Sequence, residues 1–260
     1  MTKPEIGLSM LYCLNEPFKS LLKRLTQVEV KHIELPDEGL HTLNKRRVKK
    51  LKEIAETRNL DFVVHAPWAG INIATPIPAL RRSVLKRLTK SIVIARQLDC
   101  RLWLFHPGSR TALSHIYPKE DWQLNLESVH TLLNVARRED VKVAIENTPE
   151  PFPSIMKSVD EFHTFYQDLN DDIDMVLDIA HANLNRQLRD FITQFSKKIV
   201  HIHVSDNNGD NDLHQGIGYG NIDWKNVAKM VRETDYDNLI MIESTDHIDE
   251  SLQFLRELFI

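Results

Sequence analysis

The chain has 260 residues, of which 42% are hydrophobic and 27% charged, and its formal net charge is -4. This composition allows a sizeable core, and the weakly acidic balance gives no overall attraction to nucleic acid. Cys13 and Cys100 are far apart and predict no disulfide framework, so we expect a reducing, cytoplasmic setting. The first residues lack the pattern of a signal peptide, and no apolar stretch approaches the roughly 18 residues of a membrane span, so we expect no membrane partner.

Eight short apolar runs alternate with amphipathic segments along the whole chain. Because the runs are apolar on both faces, they predict parallel strands that are covered by helices. The predicted strands are 5–10, 30–35, 62–65, 101–106, 141–146, 174–178, 199–204 and 238–243.

The clearest predicted helix follows the third run. Apolar residues recur there every four positions from Leu80 to Ile92, and basic residues between Arg81 and Lys90 fill the other face, which we expect to be solvated. Ser158, with acidic residues just after it, marks another helix start. The other predicted helices are 41–58, 122–139, 157–168, 185–196, 223–234 and 248–258.

Eight strand–helix units without a dividing linker predict an α/β protein with one domain over residues 1–260, a single (β/α)8 TIM barrel. The alternative is an open, doubly wound sheet. That fold would need a glycine-rich first turn, and the sequence Ser9-Met10-Leu11-Tyr12 is not one.

Side chains that can bind a metal stand at the ends of six apolar runs. These residues are His65, His106, Glu146, Asp178, His203 and Glu243, with His181 three positions after Asp178. Each alone has an ordinary explanation, such as a turn-capping imidazole or a salt-bridged carboxylate. Six strand ends that meet at one mouth of a barrel predict a metal centre instead. Imidazole and carboxylate ligands without thiolate favour zinc, manganese, iron or cobalt.

A polar loop follows the seventh run. Asp212 and His214 are two positions apart, so an extended segment would point both side chains the same way. The alternate glycines Gly216, Gly218 and Gly220 indicate positive φ angles or a close approach of the backbone.

Several short motifs together resemble those of the xylose-isomerase-like TIM-barrel superfamily, which also contains abasic-site endonucleases of the endonuclease IV type. The motifs are His65-Ala-Pro, His106-Pro-Gly, Glu146-Asn147, Asp178-Ile-Ala-His181, His203-x-x-Asp206-Asn, Asp212-x-His214, Gly218-x-Gly220-x-Ile222-Asp223-Trp224 and Glu243. The resemblance covers nearly the whole chain. It implies a core metal site of Glu146, Asp178, His203 and Glu243, in which the two glutamates also move a proton.

The endonuclease branch implies a larger site with further ligands. The matching positions are His65, His106, His181, Asp212 and His214, which complete the nine ligands of a three-zinc centre. Against a DNA substrate, the loop 36–39 is acidic and would repel phosphates, and the span from His203 to Asp212 is short. Trp68 is followed by Ala69 and Gly70, which give no wedge beside it.

We therefore predict a divalent-metal-dependent isomerase or epimerase that acts on a small sugar or sugar phosphate. One to three ions are expected, zinc or manganese first, with cobalt or magnesium as alternatives. Glu146 and Glu243 are the predicted acid–base pair, and Trp68 is a predicted substrate contact. Trp103 is either a second sugar-facing wall or simply a core residue. The alternative is an endonuclease IV-like phosphodiesterase with abasic DNA as its partner, and a metal-stabilised scaffold is a third hypothesis. A homo-oligomer is compatible with each.

Overall fold

Eight parallel strands close into a barrel in the computed structural model, which describes residues 3–259. The strands are β1 (Glu5–Ser9), β2 (His32–Pro36), β3 (Asp61–His65), β4 (Leu102–Phe105), β5 (Val143–Glu146), β6 (Asp174–Asp178), β7 (Ile199–Val204) and β8 (Leu239–Ile242). Neighbours in the chain pair with one another, and β8 pairs with β1. The predicted TIM barrel is confirmed, and every strand bound lies within two residues of its prediction.

Helices surround the barrel. They are α1 (Phe18–Leu25), α2 (Lys45–Arg58), α3 (Pro78–Gln97), α4 (Glu120–Glu139), α5 (Val159–Leu169), α6 (Ile179–Leu184), α7 (Leu188–Gln194), α8 (Trp224–Glu233) and α9 (Ile248–Phe259). Ser158 caps α5 as predicted, since its side chain accepts a hydrogen bond from the Glu161 amide. Within residues 3–259, no helix has both the length and the apolar character that crossing a membrane requires.

Two helical regions differ from the prediction. α1 had no predicted counterpart, because it is short and buries only Leu21 and Leu25. The predicted helix 185–196 is replaced by α6 and α7. α6 begins directly at the end of β6, because the Asp178 side chain accepts a hydrogen bond from the His181 amide and caps the helix.

The core has two parts, one between sheet and helices and one inside the barrel. The inner cluster contains Val63, Leu102, Leu104, Ala144, Val176, Leu239 and Met241. Side chains alternate between the two faces of a strand, so the residue two positions after Ala144, Val176 or Met241 also faces inward. Those next inward residues are Glu146, Asp178 and Glu243. The fold thus places the three carboxylates directly above the inner apolar cluster.

Candidate metal centre

All nine predicted ligands lie together at the carboxyl ends of the strands, in three groups. The central group is Glu146, Asp178, His203 and Glu243; the outer group is His65, His106 and Glu146; the third group is His181, Asp212 and His214. The ligand atoms lie within 4.8 Å of one another in the central and outer groups.

The third group is held together by one carboxylate oxygen. Oδ2 of Asp212 lies 3.2 Å from Nε2 of His181 and 3.2 Å from Nε2 of His214. His214 has a φ of 47°, so the backbone there is not extended, contrary to the prediction. The two side chains converge because the backbone turns at His214, not because alternate residues of a strand share a face.

Glu146 connects the central and outer groups through its two carboxylate oxygens. Oε1 lies 3.0 Å from Nδ1 of His203, and Oε2 lies 3.1 Å from Nε2 of His106 and 3.5 Å from Nε2 of His65. The Glu146 carboxylate is fully buried at the end of β5. It is therefore shared by ligands from three other strands or their loops.

Three of the ligand histidines are oriented by a hydrogen bond from ring nitrogen Nδ1 to a backbone carbonyl. Nδ1 donates to a backbone carbonyl in His65 (Ala66 O, 2.8 Å), His181 (Asn147 O, 2.8 Å) and His214 (Glu243 O, 3.0 Å). Because a carbonyl oxygen can only accept, each of these nitrogens must carry a proton. The opposite nitrogen, Nε2, is then the one available to bind an ion, and outer contacts of this kind are typical of metal-bound histidine.

Electrostatic interactions shift the pKa values of the site strongly. Burial alone would lower the pKa of His181, but the negative charges of Asp178 and Asp212 raise it to about 10. Burial opposes protonation of His214 as well, and Asp212 raises the pKa of this imidazole to about 9. Burial would raise the pKa of Glu146, yet the positive charges of His203 and His106 hold it well below its ordinary value. These interactions thus favour the ionised form of Glu146 and the protonated forms of His181 and His214.

The central group fits a divalent cation. It sets three buried carboxylates against a single imidazole, an arrangement that is costly without further positive charge. Oδ2 of Asp178 is buried and has no hydrogen-bond partner. Burial, with the charges of Glu146 and Glu243, raises the pKa of Asp178 to about 6 despite the opposing charge of His181. An ion among these four side chains would supply the missing partner and the missing charge.

Two residues of the site, Glu34 and His201, were not predicted as functional. Glu34 is fully buried on β2, and its Oε2 lies 2.9 Å from Nε2 of His203 and 3.2 Å from Nε2 of His201. The available signal was a single carboxylate between Ile33 and Leu35 in the predicted strand 30–35. Glu34 occupies the nitrogen of His203 that faces away from the central group, so it orients this imidazole as the carbonyls orient the others.

A cavity of about 560 Å³ opens above the ligands. Seven of the nine predicted ligands line it, and Trp68 forms part of its wall. The Trp68 ring stands edge-on to His65, with ring centroids 4.8 Å apart. A half-buried indole in this position can contact a molecule bound at the ligands, which agrees with the predicted location of Trp68.

Trp103 is not part of the cavity wall, so of its two sequence interpretations the sugar-facing wall is wrong and the core residue is confirmed. Its side chain is fully buried on the outer face of β4, where Nε1 donates a 3.0 Å hydrogen bond to Oγ of Ser91 in α3. The indole stacks on Phe105. The odd–even position in the strand decides this outcome, since Leu102 and Leu104 take the inward face.

The acidic side chains expected to repel phosphates at the mouth are folded inward. Asp37 is buried and accepts hydrogen bonds of 2.8 and 2.9 Å from the guanidinium of Arg87. Glu38 accepts from the amides of Gly39, Trp68 and Ala69. The ion pair with Arg87 therefore offsets the repulsion of phosphates expected from Asp37, and Arg87 is not part of a purely solvated helix face.

The glycines after β7 have the roles that the sequence indicated. Gly218 has a φ of +89°. A Cβ on Gly220 would lie 2.2 Å from Oδ1 of Asp206, and one on Gly216 would lie 2.5 Å from Cβ of His247. Asp206 is fully buried, and the loop wraps closely around its carboxylate. Only glycine permits these approaches.

Fold and ligand arrangement together define the class of protein. The model of the family described as xylose isomerase-like TIM barrel matches residues 22–258, so the chain belongs to this family. Among individual proteins, it is 28% identical to the uncharacterized protein MJ1311 of Methanocaldococcus jannaschii, over 97% of this chain and 88% of that protein. It is also 21% identical to a probable endonuclease 4 of Acholeplasma laidlawii, over 82% of this chain and 77% of that one.

The chain is also similar to two solved structures. The crystal structure of a D-tagatose 3-epimerase-like protein has a TM-score of 0.91 and 26% identity, and the match covers 98% of this chain and 96% of that one. A D-psicose 3-epimerase from Clostridium cellulolyticum H10 has a TM-score of 0.75 at 18% identity, over 98% of this chain and 91% of that one, and shows the shared fold.

Proposed function

We propose that the protein is a divalent-metal-dependent isomerase or epimerase of a small sugar. The observation that carries this proposal is the central group, in which two buried glutamates and an imidazole with an occupied far nitrogen surround the unpartnered Asp178 Oδ2. Catalysis in barrels of this fold takes place at the carboxyl ends of the strands, where this group lies. The similarity to a D-tagatose 3-epimerase-like protein over nearly the full length of both chains supports the same class.

Each residue of the central group has a distinct role in this proposal. Glu146, Asp178, His203 and Glu243 would hold the ion, for which zinc and manganese are the leading candidates and cobalt and magnesium the alternatives. When bound, a divalent ion polarises a carbonyl and stabilises negative charge on its oxygen. One of the two glutamates removes the proton from the carbon next to the carbonyl. The other returns a proton to the opposite face of that carbon for epimerisation, and return to the neighbouring carbon gives isomerisation.

The test is solvent-deuterium exchange into ketoses, followed by NMR with the metal-loaded protein. Glu146→Gln and Glu243→Gln keep the side-chain shape and remove the basic group, so each should slow exchange by about 10²- to 10⁴-fold. Glu127→Gln on the outer surface of α4 is the matched control and should exchange at the parent rate. If both glutamine variants exchange as fast as the parent, these glutamates are not the acid–base pair.

A second candidate function is hydrolysis of a phosphodiester in abasic DNA. Two observations favour it: the third group, which an isomerase with one ion does not require, and the similarity to probable endonuclease 4 proteins. Asp212→Ala removes the oxygen that holds the third group together and leaves the four central ligands in place. Incision of an abasic duplex that is lost in Asp212→Ala would establish this candidate over the isomerase, and unchanged sugar exchange in the same variant would support the isomerase.

A further inference from the structure

The proposed function leaves open whether the sugar carries a phosphate group, and the loops around the cavity bear on this point. In barrels of this fold, phosphate is often bound by backbone amides of the loops after the seventh and eighth strands and by a helix that begins there. Arginine and lysine side chains commonly complete such sites.

Three amides of the loop after β7 are already used by the chain itself. The amide of Gly216 donates to Oδ1 of Asp246 at 2.7 Å, and that of Gly218 donates to Oδ2 of Asp206 at 2.9 Å. The amide of Ile217 donates to Oγ of Ser251 at 2.9 Å. Two of these three acceptors are carboxylates. A phosphate in this loop would therefore find the three amide donors occupied and would be repelled by two negative charges.

Opening this loop would cost free energy, because its amides are hydrogen-bond donors to a buried carboxylate. Asp206 is fully buried and also accepts from Nε1 of Trp224 at 2.8 Å, so freeing the loop would leave a buried carboxylate with fewer donors. The helix that follows β8, α9, carries Asp249 and Glu250 in its first turn. Negative side chains there already interact with the positive end of the helix and disfavour a phosphate at the same place.

Two cationic side chains near the mouth, Lys157 and Arg110, are also paired with acidic side chains. Nζ of Lys157 lies 2.7 Å from Oε2 of Glu150 and donates to the carbonyl of Phe152. The guanidinium of Arg110 lies 2.7 Å from Glu161. Among the described residues, neither lysine nor arginine lines the cavity above the ligands.

The cavity wall instead offers apolar surface and a few hydroxyl groups. Trp68 and Phe152 contribute aromatic rings, and Ile71 and Pro149 add aliphatic surface. Ser109 brings a hydroxyl group to the same wall. Apolar walls with few polar groups bind uncharged parts of a ligand, and aromatic rings pack against the C–H faces of sugars.

We propose that the substrate of this site is an uncharged sugar, bound against the apolar wall without a phosphate group. This inference rests on the proposed function and narrows it. The occupied amides of the loop after β7, the paired cations and the wall of Trp68 and Phe152 each point to the same substrate class.

Calorimetry on the metal-loaded protein tests the inference with matched ligands. Tagatose, psicose and ribulose are each compared with their terminal phosphate esters, and inorganic phosphate alone measures direct capture by the ion. At least one free ketose should bind about tenfold tighter than its ester, since a phosphate without charged donors loses one or more strong hydrogen bonds. An ester that binds as tightly as its free sugar, where inorganic phosphate alone does not bind, overturns the inference.

Failure of the proposed function gives a different result. Free ketoses would then bind without any solvent-deuterium exchange, whereas failure of the inference leaves exchange intact and moves it to the esters. If no ketose binds in either form, both the function and the inference are wrong.

A gain-of-function variant provides a second measurement. Phe152 is 51% exposed at the cavity wall, so Phe152→Arg should fold and place a guanidinium beside the ligand. Binding of a terminal phosphate ester should improve about tenfold, and the matched control Phe152→Leu should show no gain. A different outcome would contradict the inference. If the parent already binds the ester more tightly than the free sugar, and Phe152→Arg binds the ester no better than the parent, a phosphate site exists elsewhere in the cavity.

Discussion

Nε2 of His203 and Oε2 of Glu34 form a 2.9 Å hydrogen bond between two fully buried side chains. The bond leaves Nδ1 of His203 directed at Glu146 and Glu243, at 3.0 and 3.1 Å. Glu34 therefore acts on the central group through the orientation of His203 without belonging to that group.

Replacement of Glu34 by glutamine should weaken metal binding while keeping the barrel folded. Loss of an outer partner of a metal-bound histidine typically lowers metal affinity by about 10- to 100-fold. Competition with a chromophoric chelator measures the affinity. Glu56→Gln, on the exposed surface of α2, is the matched control and should bind as the parent does. Parent-like affinity in Glu34→Gln would mean that the backbone alone orients His203.

Metal loading should raise the melting temperature of the protein. The central group sets a single imidazole against three buried carboxylates, and an ion that binds only the folded state stabilises that state by mass action. The gain is about 2.7 kcal/mol at a free ion concentration of one hundred times the dissociation constant. Thermal melts of chelator-treated protein with added zinc, manganese, cobalt or magnesium measure it. No shift with any of these ions would contradict a metal centre.

The metal-free protein should lose stability between about pH 6.5 and pH 10. Burial opposes protonation of His181 and His214, but Asp178 and Asp212 raise the pKa of His181 to about 10, and Asp212 raises that of His214 to about 9. A pKa that is higher in the folded state stabilises the fold fully below the unfolded value of about 6.5. That contribution disappears as the pH rises through the folded values.

Melting temperatures of the chelated protein across this range test the prediction. The decline should be smaller in His181→Gln, which cannot be protonated, and smaller in the metal-loaded protein, where the imidazoles bind as neutral ligands. A flat profile for the chelated parent would show that these imidazoles are neutral in the folded protein.

Trp68→Ala should raise KM for the sugar more than it lowers kcat. The indole lines the cavity beside His65 but has no proton to exchange with the reacting carbon. Loss of an aromatic contact of this kind costs about 0.5–1.5 kcal/mol, or roughly 2- to 13-fold in binding. Trp68→Phe keeps a ring and should restore most of the affinity. A fall in kcat with unchanged KM would assign Trp68 a different role.

The barrel and the ligand set follow from local patterns that the sequence displays. Each strand is a short apolar run, and seven of the nine predicted ligands stand at or close to a strand end, so parallel pairing alone brings these seven to one mouth. Asp212 and His214 lie further along the loop after β7, and a backbone turn brings them to the site. Glu34 escapes this reasoning, because its partner His203 is 169 positions away and only the closed barrel joins them. The sequence left Trp103 open between cavity wall and core, because an apolar run does not show which of its residues face inward.

The orientation of carboxylates in loops does not follow from the sequence. Asp37 sits in a loop that appears acidic, yet it is buried against Arg87. Asp206 similarly collects donors from its own loop. Sequence gives the charge of such residues, but whether a carboxylate points to solvent or to nearby amides depends on backbone turns that composition does not determine.

Glu146 gives one oxygen to the central group and the other to the outer group, which makes ion binding at the two groups thermodynamically linked. An ion in one group withdraws charge from the carboxylate that the other group uses. Whatever factor the first ion applies to the affinity for the second, the second must apply to the first. His65 is not a member of the central group, but it contacts Glu146 and its ring is stacked on that of His203. A substitution at His65 is therefore expected to change ion binding at the central group as well as at the outer group.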